Sequence, residues 1–291
     1  MPNSITKFKK YIDKLDEVYQ LASLTSCLDS DSTLAKAGAN ANEIIIPKLS
    51  MDGLADYSRN SGYVSGNVSL TNETATYNYD RGRKFDVDNM DNEESAGLAF
   101  GKLSAEFIRT KVCPEMDAFR FATYAGTSGI STADAAALTD GAAVIAALRA
   151  ATSQMDEDEV PQEGRLLFIT PTIKGLVDDL DTTKSKEVMG RFSRITLVPQ
   201  SRFYTAIKLK NGTTSGEEDG GYTKAEGAAN INFMILRADA LMQYPKHTVS
   251  KVISPDDNQE KDAWRFFYRA YGLADVYENK TAGIFLHKST V

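Results

Sequence analysis

Residues 63–88 read YVSGNVSLTNETATYNYDRGRKFDVD, and this stretch decides the fold. Val64, Val68, Leu70, Ala75, Tyr77, Tyr79, Phe85 and Val87 fall largely on alternate positions among Ser, Thr, Asn and Asp. A period of two is the signature of extended chain, because successive side chains leave a strand on opposite faces. The pattern predicts a long hairpin that turns near Asn72-Glu73. Thr and Asn occupy much of its second face, so neither face carries enough apolar surface to form a core. A two-stranded ribbon of that kind is not stable alone and needs a neighbour to lie on.

On the N-terminal side of the ribbon, residues 4–26 read as an amphipathic helix. Ile5, Phe8, Ile12, Leu15, Tyr19 and Ala22 recur at steps of three and four, with Asn3 or Ser4 available as the cap. Ala37 to Asn42 breaks any helix, and Glu43-Ile-Ile-Ile-Pro47 is a β-branched run that Pro47 ends or forces to a sheet edge. On the C-terminal side, residues 91–125 read as a long helix with Phe100, Leu103 and Phe107 on one face. Pro114 either kinks it or opens a second helix with Glu115 and Asp117 in its first turn.

Beyond the Gly126-to-Gly129 turn, Asp140 caps an alanine-rich helix running to about Met155, and the acidic stretch Asp156 to Glu163 is a loop. Leu166–Ile169 is a short buried strand, Thr170-Pro171 opens a helix to Leu180, and Ile195–Val198 is another strand. Lys210 to Tyr222, rich in glycine and acids, is a surface loop. A strand at Ile231–Leu236, a short helix at Ala238–Tyr244, and strands near Phe266–Tyr271 and Gly283–Leu286 complete a mixed α+β chain without internal repeats.

The sequence carries none of the common catalytic, phosphate-binding or metal-binding motifs. His247 and His287 are the only histidines, too few for a histidine-based metal site without acids from elsewhere. No Gly-x-Ser-x-Gly elbow supplies a hydrolase nucleophile. Gly97-Leu-Ala-Phe-Gly101-Lys102-Leu103 imitates a phosphate loop but is one residue short and lacks the Ser/Thr after Lys. Asp256-Asp257-Asn258 lacks the central Gly and distal Glu of a calcium loop, and Asp179 with Asp181 makes no better site. Cys27 and Cys113 read as two reduced thiols. The N-terminus lacks a signal-peptide pattern, and no segment approaches the roughly 18 apolar residues of a membrane span. With 40 Asp and Glu against 33 Lys and Arg, the net charge of −7 argues against a protein that grips nucleic acid through a basic stripe. The expectation is therefore a non-enzymatic protein made in the cytosol, with no cofactor and no metal.

Several segments, in order, resemble one branch of the major capsid proteins of tailed bacteriophages and prophages. Gly53-Leu-Ala-Asp-Tyr-Ser-Arg-Asn60 with Gly62-Tyr63 is similar to the entry of that family's extended hairpin. Asp80-Arg-Gly-Arg-Lys-Phe-Asp-Val-Asp88, Met90-Asp91 and Glu94 resemble its return into the long helix, and Val112-Cys-Pro-Glu-Met-Asp-Ala-Phe-Arg-Phe121 the continuation of that helix. Ser254–Gln259, Asp262–Phe266, Tyr268–Tyr271 and Lys280–Phe285 resemble its C-terminal part, whereas residues 126–230 match only in outline.

The resemblance implies the tailed-phage and herpesvirus shell fold. Its parts would be an N-terminal arm over 1–48, an extended hairpin loop over 49–90, and a spine helix with peripheral domain over 91–130. An axial domain would cover 131–245, and return strands of the peripheral domain 246–291. It implies a structural subunit that self-assembles into pentamers and hexamers in the host bacterial cytoplasm, giving an icosahedral virion capsid. The capsid would enclose double-stranded DNA without sequence-specific binding and without a membrane. Only some fifty residues precede the matching pattern, so scaffolding would come from a separate protein or be dispensable, and a portal would be a further partner. Asp80, Arg81, Arg83, Asp86 and Asp88 alternate charge signs on the expected hairpin and are the expected intersubunit contacts. Each exposed pair would contribute only about 0–1 kcal/mol, but a shell repeats it in every copy. An encapsulin-like compartment shell shares the implied fold, and a cytosolic enzyme with an unrecognised site is the reading from a different class.

Overall fold

The computed structural model describes residues 23–30, 36–37, 42–94, 103–180 and 182–290. The amphipathic helix expected over 4–26 lies outside them except at its end, where Ser26–Leu28 form a 3-10 turn. The phosphate-loop look-alike at 97–103 lies outside them up to its last residue.

Three early strands make one ribbon. β1 (Lys36–Ala37), β2 (Glu43–Met51) and β3 (Val68–Thr76) pair antiparallel in that order. The expected hairpin is therefore shifted: its arms are 43–51 and 68–76, and its connection is 52–67 rather than a turn at Asn72-Glu73. Asn72 instead lies within β3, opposite Pro47. β1 pairs only with Ile44 and Ile45, so at Pro47 the described ribbon has β3 on one side alone. A proline without an N–H is tolerated at such an edge.

β4 (Tyr79–Asp88) does not fold back on β3. It pairs antiparallel with β12 (Ala263–Val276), which pairs with β11 (Leu241–Ile253), giving a sheet of order β11-β12-β4. β11 occupies the place of the expected helix at 238–244, where only Ala238–Ala240 make a helical turn. Pro245 pairs with Gly272 directly before a register shift in the edge strand β11, where His247 is the next residue paired, with Tyr271, and an edge beside a bulge tolerates the missing donor.

After α1 (Asn89–Glu94) comes a rod made of α2 (Leu103–Phe107), a π turn (Ile108–Val112) and α3 (Cys113–Gly126). The interruption expected at Pro114 is the π turn directly before it. A proline cannot donate to the carbonyl four residues back, and one wide turn re-registers the ladder without ending the helix.

The larger body is a five-stranded sheet of order β5-β13-β10-β6-β7. Its strands are β5 (Ser131–Ala133), β6 (Arg165–Ile169), β7 (Arg194–Leu197), β10 (Ile231–Arg237) and β13 (Ile284–Lys288). Central β10 is buried along nearly its whole length. Leu167, Ile169, Phe233 and Ile235 face α4 (Gly141–Glu157) and α5 (Pro171–Asp178). Asp140 caps α4 as expected, its Oδ1 accepting from Ala143 N at 2.8 Å. Phe168, Met234, Leu236 and Leu286 face the rod through Phe121 and Tyr124. The rod's other side meets the β11-β12-β4 sheet, where Val112, Phe107 and Met116 pack on Phe266, Tyr268 and Ala270. Thus the rod is held between two sheets.

The 207–224 hairpin, β8 (Ile207–Leu209) and β9 (Tyr222–Lys224), carries the expected glycine-rich loop. Relative to the expected segments, the 245/246 boundary falls inside β11. The last segment divides, with β12 beside β4 and β13 in the five-stranded sheet.

Candidate intersubunit surface

The ribbon begins on the body and ends in water. At its base, Ile44 and Ala75 are buried with Met242, Tyr244 and Leu273. Lys48 Nζ binds Glu278 Oε2 at 2.8 Å, and the half-buried Glu73 carboxyl, raised by desolvation, accepts from Glu278 N. Beyond Lys48 the support stops. Leu49 faces Leu70 and Met51 faces Val68 across the strands, on one side of the ribbon. These four side chains are 55–71% exposed. Burying one such side chain contributes about 1.5–3 kcal/mol, so this is a large unrealised stabilisation in one place.

The 52–67 connection is built rather than loose. Asp52 N donates to Asn67 O at 3.1 Å and Asn67 N to Asp52 Oδ2 at 2.7 Å, closing its neck. Ser58 and Gly62 exchange backbone hydrogen bonds across a turn in which Gly62 takes a φ of 78°. Tyr57 and Tyr63 meet edge to face with centroids 4.8 Å apart. Both rings, with Val64 and the fully exposed Leu54, point into solvent. The result is a preformed aromatic knob on a bare apolar ribbon.

Strand alternation sorts the expected charged set into two groups. Residue pairing with β12 puts Asp80, Asp86 and Asp88 on the outer face of the sheet and Arg81 and Arg83 on the face toward the rod. Asp80 takes a two-point bond from Arg269 (2.8 and 2.7 Å), which holds its carboxyl below the usual range. Asp86 Oδ1 accepts from Arg265 Nε at 2.6 Å, and Asp88 Oδ1 from Met90 N at 3.0 Å. Arg81 forks onto Glu115 of the rod at 2.7 and 3.3 Å, and donates to the carbonyls of Lys210 and Gly221 at the neck of the glycine-rich loop. Exposed Arg83 donates to Glu218 O at 2.9 Å. Tyr79, its phenol pushed up by burial, donates to the same Glu115 at 3.3 Å.

Sequence reading missed the buried polar centre of the chain. Asp117, fully buried on α3, accepts from Ser23 Oγ, Leu24 N, Thr25 N, Thr25 Oγ1 and Arg202 Nη1 at 2.7–3.2 Å. Arg120 donates to Thr25 Oγ1 and Asp29 Oδ1, and Gln243 Nε2 to Thr25 O and Asp29 Oδ1. Tyr124 donates to Gln243 Oε1 at 2.6 Å, its own hydroxyl raised by burial. Segment 23–30 is thereby fastened to the rod and to β11. The one signal for this was Glu115, Asp117 and Arg120 within an otherwise apolar helical run.

His287 is buried in β13 on the ring of Phe233, with its Nδ1 3.1 Å from Asn232 Nδ2, whereas His247 is exposed on β11. Cys27 is exposed and Cys113 half-buried, both as free thiols. Among the described residues no group of three or more His, Cys, Asp or Glu is placed to hold a metal, and no helix is long and apolar enough to cross a membrane.

The mixed helix-and-sheet fold of this chain is similar to that of phage capsid chains. A chain from Mycobacterium phage Che8 superposes with a TM-score of 0.67 at 13% identity, over 96% of each chain. The capsid structure of Cyanophage P-SCSP1u gives 0.64 at 11% identity, over 97% of this chain and 93% of that one. A virus-like particle from Pyrococcus furiosus is more distant, at 0.51 and 10% identity over 84% and 86%. No protein-family model matches the chain, and no curated protein sequence matches it.

Proposed function

We propose that this protein is the structural subunit of an icosahedral phage capsid. It assembles with itself into pentamers and hexamers that enclose packaged double-stranded DNA, and it performs no catalysis. The observation that carries the reading is the ribbon. A folded chain that displays Leu49, Met51, Val68, Leu70 and an aromatic knob in water is complete only when another surface covers them. The likeness of fold to phage capsid chains supplies that surface in the form of further copies.

In this reading segment 23–30 is the root of the arm. The rod with the β11-β12-β4 sheet is the peripheral domain, and the five-stranded body is the axial domain. Outward-facing Asp80, Asp86 and Asp88 are assigned to contacts with neighbours. Arg81 has its main role inside its own subunit, supported by its bonds to Glu115 and to the loop neck. Assembly in the host cytoplasm, a separate scaffold and a portal belong to the same proposal. The compartment-shell alternative draws its support from the virus-like particle, whose similarity is the lower.

The test is electron microscopy of the purified protein, expressed alone and with its neighbouring phage genes. Capsomers, tubes or closed shells are expected. A species that stays monomeric at high concentration under both conditions refutes the reading. Shells loaded with a host protein instead of DNA favour the compartment.

A further inference from the structure

We infer that Asn211-Gly212 is a self-modifying site: the side-chain amide converts spontaneously to a succinimide and then to aspartyl or isoaspartyl, and the conversion unfastens the glycine-rich loop from β4. Asn211 is the only asparagine in the chain followed by glycine, and it is exposed, so water reaches it. Its Oδ1 accepts from Thr213 N and Thr214 N, both at 2.9 Å. These two backbone donors draw charge away from Cγ and face the oxygen on which negative charge gathers when Cγ is attacked. The attacking group is the amide nitrogen of Gly212, which is not engaged in a hydrogen bond among the described residues. Glycine has no Cβ to bar the close approach that ring closure needs.

In the first step Gly212 N gives its proton to hydroxide and forms a bond to Asn211 Cγ. The Cγ–Nδ2 bond breaks, and the nitrogen leaves as ammonia with a proton returned by water. Water then opens the ring at either carbonyl. One route gives an ordinary aspartate, the other an isoaspartate whose main chain is longer by a methylene. The overall change is amide plus water to carboxylate plus ammonium, with nothing oxidised or reduced.

The change falls where it has leverage. Asn211 Nδ2 donates to Thr214 Oγ1 at 2.7 Å, and this bond is lost with the nitrogen. A new carboxylate joins Glu217, Glu218 and Asp219 in the same loop, where like charges repel. Arg83 lies against the loop at both Gly212 and Gly220: a Cβ at either would stand 3.1 Å from its Nη1. A methylene added to the main chain at residue 211 disturbs that fit, and with it the adjoining bond from Arg81 to Lys210 O. Asn60, equally exposed but followed by Ser61, is the internal comparator.

The experiment ages purified full-length protein at pH 8.5 and at pH 6.5, followed by peptide mapping and hydrogen exchange. Conversion at Asn211 should run on the order of tenfold faster than at Asn60, and faster at the higher pH because hydroxide removes the Gly212 proton. Amides of 210–221 should lose protection in proportion to the converted fraction. Asn211→Gln, whose longer side chain closes the ring far more slowly, should show no change on ageing. Conversion at Asn211 no faster than at Asn60 overturns the site. Converted protein with its loop still protected, or an equal loss on ageing in Asn211→Gln, overturns the unfastening.

Discussion

Replacing Asp117 by alanine is the sharpest test of how this chain holds its N-terminal segment. The carboxylate accepts five hydrogen bonds, four from Ser23, Leu24 and Thr25 and one from Arg202. Its removal leaves the Arg202 guanidinium, 1% exposed, without the carboxylate that neutralises it. Breaking a buried pair from one side costs about 3–5 kcal/mol, because the remaining charge stays desolvated. The orphaned amides of Leu24 and Thr25 would add about 1–3 kcal/mol each if they stayed buried. They need not, since segment 23–30 can lift into water instead. Asp117→Ala should therefore lower the unfolding free energy of the free subunit by about 3–5 kcal/mol in urea titration. The Leu24 and Thr25 amides should at the same time lose their protection from hydrogen exchange. Adding Arg202→Met to the variant should restore part of the loss, since it removes the charge that Asp117→Ala leaves without its carboxylate. A loss under about 1 kcal/mol, or amides still protected, would refute the argument that this pair anchors the segment.

Three further expectations follow from the same geometry. A Cβ at Gly141 would stand 2.1 Å from Leu176 O where α4 and α5 approach, so Gly141→Ala should destabilise by about 1–3 kcal/mol, read as a lower urea midpoint. Arg81→Glu sets a carboxylate against Glu115 and strands two loop carbonyls. It should cost the free subunit about 2–3 kcal/mol, whereas Arg83→Glu, at an exposed position, should stay within about 0.5 kcal/mol. Burial pushes the His287 pKa below its usual value, so the unfolded chain binds the proton more readily. Stability should fall as pH drops below about 6.5 and level off once the folded-state pKa is passed. The raised carboxyls of Glu73 and Asp275 act in the opposite sense. The informative measurement is therefore the difference in denaturation midpoint between wild type and His287→Gln at pH 7.5 and 5.5.

What could be read from the sequence was what local rules determine. Asp140 followed by an alanine-rich amphipathic run, Thr170-Pro171, and the unbroken apolar run of 231–236 each name one element, and each element is there. What could not be read was partner choice. The alternation from Tyr63 to Asp88 is continuous, and nothing within it says that 68–76 pairs back to 43–51 while 79–88 pairs forward to 263–276. Register in a sheet is set by long-range burial, which a local period does not carry. The strand at 241–253 was hidden by Pro245, which argues against a strand except at an edge or beside a bulge. The ribbon's bare surface was legible as a shortage of core residues. Asp117 and Arg202 were not, because 85 residues separate the two halves of that pair.

The two-sidedness of β4 restricts how this protein can change over generations. Between Tyr79 and Asp88, odd-numbered side chains serve the rod and even-numbered ones the outer face. An inserted or deleted single codon in that stretch would exchange the two sets at a stroke, bringing an aspartate toward Glu115 and sending an arginine outward. Viable length variants of this strand should therefore differ by two residues, so parity is itself inherited here.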